Sequence, residues 1–259
     1  MAYSAALGEA DSRYFDTAAE GGVLAHPLFP VCYEWPVSRP IRQIPALREH
    51  FSRLVHAEHH LVLHRAPRAG DRLKTAVRIT RAEQRKPGAF VVFRFDTTDA
   101  AGAAVSTTDF GVLYRGVALE RHGRVAGAGF ASLIVSEETP ELKPLGSIDI
   151  AANAAHVYTE CARIWNPIHT DVAHARAAGL PGIILHGTAT LALSVSRALA
   201  AFGADPAQVR RVQCRFSGMV RMPSTLEIMG ALEKKTLSFE TRGPGGETVI
   251  SRGRIELGG

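Results

Sequence analysis

FRFDTTDAAGAAVSTTDFGVLYRG, residues 93–116, returns near the carboxyl end as LSFETRGPGGETVISRGRIELGG, residues 237–259. With Phe95 set on Phe239, Gly102 falls on Gly246 and Val105 on Val249 without a gap. Each copy reads as a strand, a glycine-containing turn after an acidic or polar run, and a second strand, which is the pattern of a β-hairpin. A further candidate strand lies upstream of each, opened by GDRLKTAVRI (70–79) and by PSTLEIMGAL (223–232). Gly70 lies 25 residues before Phe95 and Pro223 lies 16 before Phe239, so a loop of variable length separates strand from hairpin. Two copies spaced by about half the chain indicate a duplicated unit, not a solenoid of short repeats.

The helices of the two halves differ. ILHGTATLALSVSRALAAFG (184–203) is small and apolar throughout, with Gly203 placed to end a helix. A helix hydrophobic nearly all round needs to be wrapped by other structure. The corresponding stretch of the first half, IPALREHFSRLVHAEHH (44–60), is shorter and more polar: either its helix is reduced or its space is used otherwise. SEETPELKPLGS (136–147), with prolines, charges and few apolar residues, reads as the linker. The expected architecture is α+β, with residues 1–140 and 141–259 each forming an antiparallel sheet against a helix. Alternation alone leaves open whether the two sheets merge.

Bulk properties suit this reading. The chain has 259 residues, 46% hydrophobic and 21% charged, the balance of a globular protein with ample core. No apolar run approaches the roughly 20 residues of a membrane span, and MAYSAALGEADSRYF shows no secretory pattern. Cys32, Cys161 and Cys214 are odd in number and far apart, which argues against disulfides or a zinc cluster. A reducing cytoplasm is the expected location. The net charge of +5 is carried by scattered residues, and aromatic residues make up 7%. A basic arm or a stacking platform for nucleic acid is missing from this pattern; a small polyanionic ligand would profit from the same charge.

Chemistry concentrates in IWNPIHTDVAHARAAGLPGIILHG (164–187). Asp171 or Thr170 is placed to cap a short helix that Gly179 ends and Pro181 stops. His174 reads as a surface residue of that helix. His169, Asp171 and His174 lack a distant fourth ligand, so no metal is expected. His169 follows Asn166-Pro167, which forces Asn166 into an extended or turn geometry and makes a rigid corner. Gly187 then opens the apolar helix and permits close approach of a ligand to its first backbone N–H groups. A helix N-terminus offers unpaired donors and partial positive charge, and a histidine can move a proton near neutrality. Together these suit elimination or addition beside a thioester carbonyl.

The same residues carry a resemblance. Tyr158, Asn166, Pro167, His169, Asp171, Ala178, Gly179, Leu185, His186 and Gly187 follow the motif of the MaoC-like (R)-specific enoyl-CoA hydratases, or hydratase 2. That motif runs Tyr, an apolar residue, Ser-Gly-Asp, any residue, Asn-Pro-apolar-His, and later Ala-Gly and apolar-Leu-His-Gly. The resemblance implies a double hotdog whose first unit has a reduced central helix, leaving room for an acyl group. It implies a hydratase or dehydratase of 2-enoyl or 3-hydroxyacyl thioesters, carried by CoA or a carrier protein. The family's Asp, five residues before the histidine, is here Ile164, and its Ser-Gly are Ala162 and Arg163.

Three readings follow from that departure. In the first, His169 keeps its role with Tyr158, Glu160 or a carboxylate from the first half as partner. The pocket, walled by Trp165, Ile164 and His186, can instead serve an isomerisation, cyclisation or dehydration of a polyketide-like substrate. The third reading is a non-catalytic acyl-thioester-binding subunit. In VRRVQCRFSGMVR (209–221), Arg210, Arg211 and Arg215 are candidates for CoA phosphates. Neither G-x-G-x-x-G opening a helix nor a P-loop is present, so no cofactor is expected. A homodimer stays open, although a two-unit chain can complete a pair of units alone.

Overall fold

The structure, a computed structural model, describes residues 1–120, 123–124 and 140–258. Its helices are α1 (Ala2–Ala6), α2 (Pro30–Ser38), α3 (Pro45–Arg48), α4 (Ala154–Ala162), α5 (Val172–Ala177) and α6 (Gly187–Ala201). The first-half strands are β1 (Leu54–Leu63), β2 (Lys74–Arg85), β3 (Gly88–Thr98), β4 (Ala104–Arg115) and β5 (Gly123–Arg124). Those of the second half are β6 (Lys143–Ile150), β7 (Val209–Phe216), β8 (Ser224–Glu233), β9 (Thr236–Arg242) and β10 (Thr248–Leu257). The α+β expectation holds.

All ten strands form one antiparallel sheet in the order β5-β2-β3-β4-β1-β7-β10-β9-β8-β6. Read outward from the centre, each half repeats the other. Instead of two separate sheets, the halves are joined where β1 pairs with β7, from Glu58↔Arg215 to Val62↔Arg211. The duplicated hairpins are β3–β4 and β9–β10, and their turns agree in detail. Gly102 and Gly246 take φ of +82° and +80°, a region glycine enters without a Cβ penalty. Gly102 donates to the Asp99 carbonyl and Gly246 to the Gly243 carbonyl, four residues after Phe95 and Phe239 respectively.

The sequence reading of 136–147 as linker is corrected in part. Residues 136–139 lie outside the described residues, while Lys143–Ile150 is a strand paired with β8. As the edge of the sheet, β6 can carry Pro144, whose missing N–H would be costly in a central strand.

α6 lies at the centre of the second half's core. Leu191, Ala192 and Val195 are fully buried, packed with Val212, Leu226, Leu237 and Ile255 from the sheet. Each large aliphatic side chain buried this way contributes about 1.5–3 kcal/mol. The helix ends as read: Gly203 takes φ +59°, Gly203 N–H bonds to Ala200, and Ala204 N–H bonds to Leu199. These are the two bonds of a Schellman motif. Among the described residues the first half has no helix as long: α2 has nine residues, and the stretch 44–53 leading into β1 holds α3, four residues long, and a 3₁₀ turn at Phe51–Arg53. Its smaller core of Val91, Phe93, Phe95, Val112 and Tyr114 is covered from the other side by partly buried Val37, Ile41 and Leu47. The space not taken by a long helix is a cavity.

Candidate active site

The cavity has a volume of about 460 Å³ and lies between the two halves. Ile164, Asn166, His169, His186 and Gly187 line it from the second half; Phe93, Phe95, Phe110 and Val112 line it from the first. Most of this surface is apolar, as expected for a site that buries much of a small ligand.

The corner at His169 is built as the sequence indicates. Asn166 is extended, with φ −135° and ψ 116°, and Pro167 opens a 3₁₀ turn that ends on His169. Asp171 caps α5 by accepting from the His174 N–H, and His174 is exposed. The buried His169 ring meets the Ile184 carbonyl at 2.8 Å through Nδ1. A carbonyl only accepts, so Nδ1 carries the proton and Nε2 keeps its lone pair. Desolvation lowers the pKa of His169 to about 4, with the Ile184 bond opposing in part. At neutral pH it is an uncharged base.

His186, the N-cap of α6, stacks on His169 with ring centroids 3.7 Å apart. Its Nε2 lies 3.3 Å from both the Ile164 carbonyl and Thr159 Oγ1. Burial pushes its pKa well down, and the neighbouring His169 adds to the shift. No side chain caps α6, so its first N–H groups stay available to a ligand. A Cβ at Gly187 would lie 3.2 Å from Phe216 Cε1, so the missing side chain also makes room for that ring.

Ile164 is buried in the second half's core and lines the cavity. Among the described residues no carboxylate hydrogen-bonds to His169. Arg163 takes the left-handed φ of 57° at the end of α4, where the resembling motif has glycine.

Six of the sequence candidates lie outside the cavity lining. Glu160 is exposed and accepts from the Trp165 indole at 3.3 Å, and Trp165 itself is 52% exposed, so the two face outward together. Trp165 is thus neither a pocket wall nor a core residue. Arg210, Arg211 and Arg215 lie on β7 outside the cavity lining, Arg211 paired with Glu256 at 3.4 Å. Arg210 and Arg215 are exposed; among the described residues Arg115 is the arginine that lines the cavity. Tyr158 is buried behind the lining, its hydroxyl 3.1 Å from Thr188 Oγ1 and its ring 4.9 Å from that of His186.

Among the lining residues that escaped the sequence reading are His56 and Glu34. His56 stacks on Phe110 at 3.6 Å and bonds to the Glu58 carbonyl. Glu34, on α2, is 4% exposed. The only hint of Glu34 in the sequence is an acid inside the apolar run LFPVCYEW (28–35).

Among the described residues no His/Cys/Asp/Glu group is arranged to hold a metal, and no helix is long and apolar enough to cross a membrane.

A ten-stranded sheet of two like halves, one wrapping a long helix and one opening on a cavity, is the double hotdog. Residues 137–251 match the family described as MaoC like domain, and residues 1–108 match the FAS1-like, dehydratase domain region, so the chain carries a MaoC-like dehydratase domain. Peroxisomal multifunctional enzyme type 2 of Mus musculus is 27% identical over 221 residues, 84% of this chain and 29% of that protein. The chain thus spans under a third of that relative's length. A MaoC-like dehydratase from Phytophthora capsici superposes with a TM-score of 0.83 at 19% identity, covering 99% of this chain and 90% of the other. A double-hotdog protein of Mycobacterium tuberculosis gives a TM-score of 0.64 at 16% identity, with coverage of 99% and 90%. These two likenesses concern the fold.

Proposed function

We propose that the chain is a hydro-lyase that adds water to a 2-enoyl thioester, or removes it from the 3-hydroxyacyl product, with CoA as the carrier. One observation carries this reading: a neutral histidine with a free Nε2 lines the same cavity as the uncapped N-terminus of α6. In hydration, His169 Nε2 takes a proton from water as the water oxygen bonds to C3. The electron pair of the C2–C3 bond moves toward the thioester carbonyl, whose oxygen becomes an enolate held by the first N–H groups of α6. The proton then returns to C2. Asn166 and His186 set the position of the histidine, and the apolar wall of the first half takes the acyl chain.

Ile164 cannot accept a proton, so the histidine works without the carboxylate of the resembling motif. Such a loss costs about 10²–10⁴-fold in rate, which a favourable elimination tolerates. The test is hydration of 2-enoyl-CoA esters followed by loss of enoyl absorbance. Wild type is expected to turn over, and His169→Ala to fall by about 10²–10⁴-fold. Equal rates overturn the role of His169; tight acyl-CoA binding without turnover favours a binding subunit.

A further inference from the structure

The hydration chemistry leaves Glu34, a buried carboxyl of the cavity, unused. Pro30, with its fixed φ, starts α2, and Val31, Glu34, Trp35 and Ser38 face the cavity from successive turns of it. Val31 and Trp35 pack onto the second half's core. Glu34 sits between them, opposite the aromatic wall of Phe93, Phe95 and Phe110. Its Oε1 accepts a hydrogen bond of 2.5 Å from Thr108 Oγ1. Among the described residues this is the carboxyl's only hydrogen bond, and no Arg or Lys pairs with it.

A buried carboxyl without a cation is costly to charge. Burial raises the Glu34 pKa to about 8, with the Thr108 bond opposing. At neutral pH the group is mainly a carboxylic acid, offering both a donor and an acceptor to the cavity. An unbranched hydrocarbon chain would strip water from it and give nothing back. Leaving such a group unsatisfied costs about 1–3 kcal/mol.

We infer that Glu34 is a specificity-determining residue that recognises a hydroxyl or carbonyl group carried on the acyl chain beyond the reacting carbons. The substrate class is then an oxygenated acyl thioester, not a plain fatty acyl thioester. This rests on the thioester reading above. Thr108 holds Oε1 and leaves the second oxygen to the ligand. A hydroxyl there would both donate to and accept from the carboxylic acid, and a carbonyl would accept its proton.

The experiment uses the full chain and 2-enoyl-CoA esters of one chain length, unsubstituted or hydroxylated at successive carbons. Wild type is expected to prefer one hydroxylated ester by about 10- to 100-fold in kcat/KM, the ratio that the cost above implies. Glu34→Leu should reverse the preference, mainly through KM, and Glu34→Gln, which keeps a donor and an acceptor, should retain most of it. The same preference in wild type and Glu34→Leu overturns the inference. So does an equal fall in kcat on every ester in both variants, which would make Glu34 an acid–base group. If Glu34→Leu does not fold, calorimetry of wild type with saturated acyl-CoA esters, with and without the hydroxyl, decides. Binding with no preference sinks the Glu34 role alone. Absence of any acyl-CoA binding sinks the thioester reading, and this inference with it.

Discussion

The imidazole of His186 lies against that of His169, with ring planes 25° apart and centroids 3.7 Å apart. Both rings are held uncharged, because a proton on either would create a buried cation beside the other. The acid limb of the pH–rate profile should therefore fall near the lowered pKa of His169, about 4, and not near 6.5. His186→Ala admits water to the stack, so the limb should move upward toward 6.5. NMR titration of the His169 ring in both proteins checks the shift, and an unmoved pKa would discard the argument.

Ile164→Asp places a carboxyl where the resembling motif has one. Ile164 and His169 line the same cavity, so the new group can reach a water bound at His169 under the proposed mechanism. Enoyl-CoA hydration should rise by about 10- to 100-fold, below the upper range for a general acid–base group. Stability should fall by about 2–5 kcal/mol as core packing is lost. Kinetics paired with urea unfolding separates the two effects.

Arg163→Gly should stabilise the protein. The exposed Arg163 occupies a left-handed conformation that costs a non-glycine residue about 1 kcal/mol. The gain is partly offset by the greater freedom of glycine in the unfolded chain. A rise in the urea midpoint at unchanged slope is the expected result.

Stability should peak between mildly acidic and neutral pH. His26, His59, His60 and His169 have folded pKa values lowered to about 3–4 by burial. Between those values and 6.5 the unfolded chain binds more protons, so stability is lost as pH falls through this window. Glu34 acts oppositely. Its pKa is raised from 4.5 to about 8, so its contribution is complete below 4.5 and lost as pH rises to 8. Urea midpoints should climb from pH 4 to about 6.5 and then decline, and Glu34→Gln should remove the decline.

The sequence made the hairpins legible because their information is local. Phe95 and Phe239, with the glycines seven residues later, set turn and register within one short segment. The cap at Asp171 and the stop at Gly203 are local for the same reason. The junction of β1 with β7 is not local: it pairs Glu58 with Arg215, 157 residues apart, and no alternation announces which edges meet. The site divides in the same way. Asn166, His169 and Gly187 come together through one compact corner, whereas Glu160 and Trp165 were placed by nearness in the chain and turn outward. Glu34 reaches the cavity through α2, which carries no motif, so only three-dimensional packing reveals it.

The seam between β1 and β7 has one more consequence. Two identical units meeting edge to edge would be bound by symmetry, each carrying the same corner and the same helix. Covalent linkage lifts that obligation. One half can give up its long helix to make a chamber while the other keeps the reacting groups, so every such molecule has a front and a back.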